Sequence, residues 1–180
     1  MDKTWFRKLF SRPPTPEQPV LAGIPPQTDY ADAEAQFSMG VKFANGEGAT
    51  QDYVQAAEWY LKAADQRHSL AQYNLGIMYA HGQGVTPDAA RSAMWFGKAA
   101  QAGDAGAQFY LGNRCQRASL GRVREQVSES MIEAYKWYRL AAAQGYLGSE
   151  MAYATLSLNM TREDVAAGNR RFAEFEAAKS

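Results

Sequence analysis

Between Ala71 and His81 apolar side chains return at intervals of three and four. At about 100° per residue, Ala71, Leu75, Met78 and Tyr79 gather on one side of a helix. Tyr73, Ile77, Ala80 and His81 lie away from that stripe. Gly82 and Gly84 then break the pattern. Beyond them Thr86 reads as an N-cap, Pro87 as the first helical residue, and Asp88 as a charge suited to the positive end of the helix dipole. The helix that follows should bury Trp95 and Phe96, with the small Ser92, Ala99 and Ala100 where backbones approach closely. It should stop at Gly103, a residue suited to the left-handed C′ position. The pattern therefore predicts two helices joined by a glycine turn.

The same pair occurs elsewhere. Residues from Ala35 align with residues from Ala71 without a gap at an offset of 36, matching Gly40 to Gly76, Asp52 to Asp88 and Trp59 to Trp95. A third copy starts at Ala107, but its second half is late, because Trp137 falls 42 residues after Trp95. A degenerate half-unit begins at Ser149. Thr161 to Asp164 reads as a variant capping box opening a last helix with Val165, Phe172 and Phe175 near helical spacing. The units are thus 35–70, 71–106 and 107–148, followed by a half-unit and capping helix over 149–180. No unit can bury its apolar face alone, so the units must stack into an all-α solenoid. Truncating one of the repeated tryptophans to alanine should cost about 3–5 kcal/mol. The insertion in the third unit, 117–130, carries Arg117, Arg122, Arg124, Glu125 and Glu129. Such insertions usually emerge as loops on one face, where they either bind or drift.

The pattern A-x-x-x-L-G-x-x-Y-x-x-G-x-G-V, then D, then A-x-x-W-Y/F-x-K-A-A-x-x-G resembles the Sel1-like repeat, a relative of the tetratricopeptide repeat. The second unit follows it closely, departing at Ser92 where the other units keep Ala56 and Ala134; the first has Met39, Phe43 and Ala49 in place of Leu, Tyr and Val. The resemblance implies a right-handed solenoid of antiparallel helix pairs, used as an adaptor, scaffold or regulatory partner. Some secreted relatives staple each repeat with a disulfide, which a single cysteine cannot do.

By analogy with tetratricopeptide arrays, a concave groove would be lined by Phe37, Val41, Ala44 and Asn45 in the first unit and by Tyr73, Ile77, Ala80 and His81 in the second. Phe109, Asn113, Gln116 and Arg117 would continue it in the third. This surface grades from apolar to polar and positive, which suits a peptide with an apolar part and an acidic end. The competing expectation is that Phe37, Tyr73 and Phe109 pack against the preceding unit, leaving His81, Asn113 and Arg117 to set specificity.

The start of the chain is different in kind. Six of the seven prolines fall within the first 26 residues, so 13–27 should be an extended linker and the folded domain should occupy 28–180. In residues 1–12 a short helix would gather Trp5, Phe6, Leu9 and Phe10, with Lys3, Arg7, Lys8 and Arg12 around them against Asp2 alone. Such a segment would suit docking to an anionic membrane surface or a partner groove, the alternative being a frayed terminus. Arg7 and Lys8 interrupt any secretory h-region, and no apolar run reaches the roughly 18–20 residues of a membrane span, so a cytoplasmic location is expected.

Charge and chemistry narrow the function further. Lysine plus arginine equals aspartate plus glutamate at 19 each, which gives no reason to expect nucleic acid. Cys115 aligns with Phe43 and Tyr79 and should be a core residue. His68 and His81 are the only histidines and lack metal-ligand spacing. No Walker loop or G-x-S-x-G elbow is present. The expectation is a non-enzymatic adaptor with no metal, cofactor or small-molecule substrate, binding a protein or peptide. The alternative is an inhibitor or immunity-type protein that plugs a partner enzyme through 117–130.

Overall fold

The structure is a computed structural model that describes residues 32–48, 50–119 and 124–178, without the side chains of Arg124 and Glu125. The docking segment 1–12 and the linker 13–27 lie outside the described residues. Among those described are eight helices and no strand: α1 (Ala33–Asn45), α2 (Tyr53–Asp65), α3 (Ser69–His81), α4 (Ala89–Ala102), α5 (Ala105–Ser119), α6 (Arg124–Ala143), α7 (Ser149–Ser157) and α8 (Arg162–Ala177). Each packs on the next from α1 to α7. The result is a solenoid of helix pairs α1/α2, α3/α4 and α5/α6.

One contact sets the spacing inside every pair. A Cβ on Gly40 would lie 2.5 Å from Cδ1 of Tyr60, on Gly76 2.9 Å from Cδ1 of Phe96, and on Gly112 2.5 Å from Cδ1 of Tyr138. No side chain fits there, so the first helix comes down directly onto the aromatic ring of the second. The alanines facing this contact, Ala56 and Ala134, are fully buried. Ser92 takes their place in the second pair, and its hydroxyl donates to the Gly76 carbonyl at 2.8 Å. A tryptophan precedes each ring, and Trp59, Trp95 and Trp137 are all buried.

A glutamine joins successive pairs. The buried Gln72 donates from Nε2 to the Ala64 carbonyl at 3.0 Å, and Gln108 donates to the Ala100 carbonyl at 3.2 Å. Each adds a side-chain donor to a carbonyl in the last turn of the preceding helix, which also accepts the backbone amide of Arg67 or Gly103. A second glutamine completes the arrangement where it is present: Gln66 donates to Gln36 Oε1 at 3.0 Å and Gln144 to Gln108 Oε1 at 2.9 Å. The equivalent residue in the second unit is Ala102, and Gln72 Oε1 is buried without a hydrogen-bond partner.

Several local expectations change. The second helices start at Asp52 and Asp88, whose carboxylates each accept from two backbone amides. Thr86 is therefore not the N-cap, and Pro87 precedes the helix. Pro87 packs over Gly82, while Gly84, with φ 68°, runs against the backbone of Tyr53 in the preceding unit. Gly103 and Gly145 take the left-handed conformation, as does Arg67 in the first unit, with φ 66°. The inserted segment does not form a free loop over its described length. It is absorbed into helix: α5 reaches Ser119, and α6 begins thirteen residues before Trp137, whereas α2 and α4 begin six before Trp59 and Trp95. Helix continues there because 124–143 offers neither glycine nor proline to stop it.

The added length of α6 receives the last helix. Arg171 on α8 bonds Glu129 at 2.8 Å and Glu133 at 2.6 Å, Asp164 accepts from Ser128, and Phe175 meets Trp137 edge-on at 5.6 Å. The Arg171 guanidinium holds the Glu129 carboxyl below its ordinary range. Thr161 and Asp164 form the anticipated capping box. α8 packs on α6, and no packing of comparable extent joins it to α7.

Two substitutions test these contacts. Gly76→Ala should destabilise the fold by about 1–3 kcal/mol in chemical denaturation, because the Phe96 ring must move. Gly97→Ala has nothing within 4 Å of the new methyl, so it should be neutral or stabilising by up to about 1 kcal/mol. Separately, Ala102→Gln should raise stability by about 1 kcal/mol by giving Gln72 Oε1 the donor it lacks; an unchanged urea midpoint would refute that assignment.

Candidate partner-binding groove

The first helices of the three pairs are held by matching N-caps. Asp32, His68 and Asp104 accept from the backbone amides of Ala35 at 2.7 Å, Ala71 at 3.2 Å and Ala107 at 2.7 Å. In His68 the accepting atom is Nδ1, so Nε2 carries the proton and donates to the Glu34 carboxylate at 3.1 Å. The imidazole thus does a carboxylate's work, a role its alignment with Asp104 alone did not reveal. The recurrence of Asp32 one period earlier was the available signal.

Above the caps, the three recurring aromatics are committed to packing. Phe37 lies 5.7 Å from Tyr60, Tyr73 5.4 Å from Phe96, and Phe109 5.5 Å from Tyr138, each across its own pair. Each also touches the turn that opens the following unit: Phe37 stacks on His68 at 4.5 Å, Tyr73 lies against Gly106, and Phe109 meets Tyr146 at 5.3 Å. They pack forward along the array, not onto the preceding unit.

The remaining groove positions divide in two. Val41 and Ile77 are half-buried against the core clusters. The Tyr138 hydroxyl lies 3.1 Å from Asn113 Oδ1 and 2.8 Å from Gln116 Oε1, so these two side chains share its proton. Burial pushes that phenol up to about 12. By contrast Asn45, His81 and Arg117 are exposed, each in the last turn of its helix and spaced by one repeat, with Ala80 exposed beside His81. Asn45 bonds Glu47 at 2.8 Å. The structure therefore places these three at one repeat position and the other groove residues, Ala80 apart, in the packing beneath and beside them. Trp5, Phe6, Arg7, Lys8 and Phe10 lie outside the described residues.

Cys115 is half-buried between two core clusters, and burial pushes its thiol up. A depression of about 580 Å³ beside the Gly82–Gly84 turn is lined by Tyr79, Val85, Thr86, Pro87 and Arg91, but Arg91 is paired with Asp88 at 3.4 Å. Among the described residues no group of three or more His, Cys, Asp or Glu could hold a metal ion, and no helix is long and apolar enough to cross a membrane.

The family model described as Sel1 repeat matches residues 33–68, 69–104 and 105–146. This chain belongs to the Sel1 repeat family. Each matched segment begins with the residue that follows an N-cap, two positions before the units inferred from sequence. A solved Sel1 repeat protein from Oxalobacter formigenes is 30% identical with a TM-score of 0.61, over 75% of this chain and 52% of that one. The c5321 protein, described as a protective antigen present in uropathogenic Escherichia coli strains displaying an SLR fold, is 28% identical over 80% of this chain and 38% of its own, with a TM-score of 0.48. The present chain thus spans about half the length of the first of these. No curated protein matches. Sel1 repeats are generally non-catalytic and generally mediate protein–protein contacts.

The capping role of His68 has a direct check. His68→Ala should cost about 1 kcal/mol in urea denaturation, whereas His68→Asp should hold or raise the midpoint; equal losses in both would show that the ring acts through its stack on Phe37 instead.

Proposed function

We propose that this Sel1 repeat protein is a non-enzymatic adaptor that holds a protein or peptide partner across the face formed by α1, α3 and α5. The observation that carries the reading is the row Asn45, His81 and Arg117. At one repeat position, three different side chains face solvent while their neighbours are used by the fold. A row that varies in chemistry at fixed spacing suits the reading of an extended ligand, one contact per unit. Its drift toward Arg117, with the exposed Arg114 alongside, suits a ligand whose end is acidic.

The test uses the full chain. A partner recovered by affinity capture is purified and titrated against wild type and the double variant His81→Glu with Arg117→Glu, which alters two exposed residues. Binding should weaken by about tenfold or more, with a smaller salt dependence. Unchanged affinity would remove this face as the site.

A further inference from the structure

α7 is the first helix of a pair whose second helix is missing. Counting by the repeat, Met151 occupies the position of Phe37, Tyr73 and Phe109, and Ala154 occupies that of Gly40, Gly76 and Gly112. In the three complete pairs these positions are covered by the aromatic ring of the second helix. On α7 nothing described covers them. Met151 is 76% and Leu158 84% exposed, with Ala154 and Thr155 exposed between them on the same face. α8 does not fill the place, because it packs on α6.

The sequence holds one unused candidate. Every second helix carries a tryptophan followed by an aromatic, Trp59-Tyr60, Trp95-Phe96 and Trp137-Tyr138, and the only other tryptophan begins Trp5-Phe6. The match extends further: Lys62 and Lys98 stand three residues beyond their tryptophans, with their ammonium groups over the indoles at 3.9 and 4.2 Å, and Lys8 stands three beyond Trp5. We propose that residues 4–10 of the same chain dock on the open face of α7 as the missing second helix, with Phe6 over Ala154 and Met151. Ala154 carries a methyl where the other units have none, so the docked segment sits farther out than Tyr60, Phe96 or Tyr138.

Reach permits this within one molecule. Residues 11–31 number 21, and a proline-rich chain extends about 3.1 Å per residue, or roughly 65 Å in all. The six helix-to-helix steps from α1 to α7, at about 8–10 Å each, span at most roughly 60 Å. Tethering also makes the docking intramolecular, which favours a short helix that would not form alone.

Hydrogen exchange on the full chain tests the assignment. In wild type, amides of residues 4–10 should exchange at least about tenfold slower than an unprotected chain. Met151→Asp with Leu158→Asp, both at exposed positions, should abolish that slowing, and Trp5→Ala with Phe6→Ala should speed exchange in α7 while leaving α1 to α4 unchanged. Exchange of residues 4–10 at the unprotected rate would overturn the proposal, as would slowing that survives the two aspartates. Slowing that grows with protein concentration would place the segment on a second copy, and slowing that appears only with phosphatidylcholine–phosphatidylserine vesicles would place it on lipid. Either result also overturns docking within the chain.

Discussion

The absence of three side chains, at Gly40, Gly76 and Gly112, governs the rest of this molecule. A helix that meets an aromatic ring with its bare backbone sits closer to its partner than ridges and grooves would otherwise allow. That proximity requires alanine or serine opposite, puts Phe37, Tyr73 and Phe109 against the same rings, and fixes how far the chain must travel in the intervening turn. In the first two pairs a glycine pair makes that turn and an aspartate caps the next helix, whereas the third pair keeps the contact across a longer connection. Nearest-neighbour stacking then repeats the geometry without any long-range contact being needed.

Between pairs, continuous apolar packing, with Phe96 stacked on Tyr110 at 3.9 Å, is joined by a few polar bonds. Buried amides of Gln72 and Gln108 close the helix ends behind them, and carboxylates or an imidazole open the helices ahead. These bonds are directional, so they fix the register between units that apolar surfaces alone would leave loose. At the far end the pattern changes: seven further residues at the start of α6 give α8 a ledge to pack on, and among the described residues α7 is left as a first helix without a second.

Much of this was legible from periodicity, because a repeat displays each structural requirement several times. The helices, the glycine turns, the buried tryptophans and the 161–164 capping box could all be assigned from residue type and spacing. What escaped was set by distances across the fold. The true N-cap at Asp88 was hidden by Thr86 and Pro87, whose local chemistry argues equally well for an earlier start; only the placement of Pro87 on Gly82 decides. The inserted segment looked like a loop because insertions in repeats usually are, yet its composition is helical and α8 gives it a surface to pack against. The groove was legible as a face but not as a site. Asn113 and Gln116 differ from their apolar counterparts in the other units, and only the position of the Tyr138 hydroxyl shows that they answer to a buried phenol.

Arg67 gives the array an uneven hinge line. Its neighbours in the repeat, Gly103 and Gly145, enter the left-handed region without cost, but a side chain there carries a penalty of about 1 kcal/mol. A chain of units coupled only to their neighbours opens first where a joint is weakest. The first pair should therefore breathe against the second more readily than the second against the third. The face formed by α1, α3 and α5 is then a fixed plate over two units with a movable leaf at its N-terminal edge.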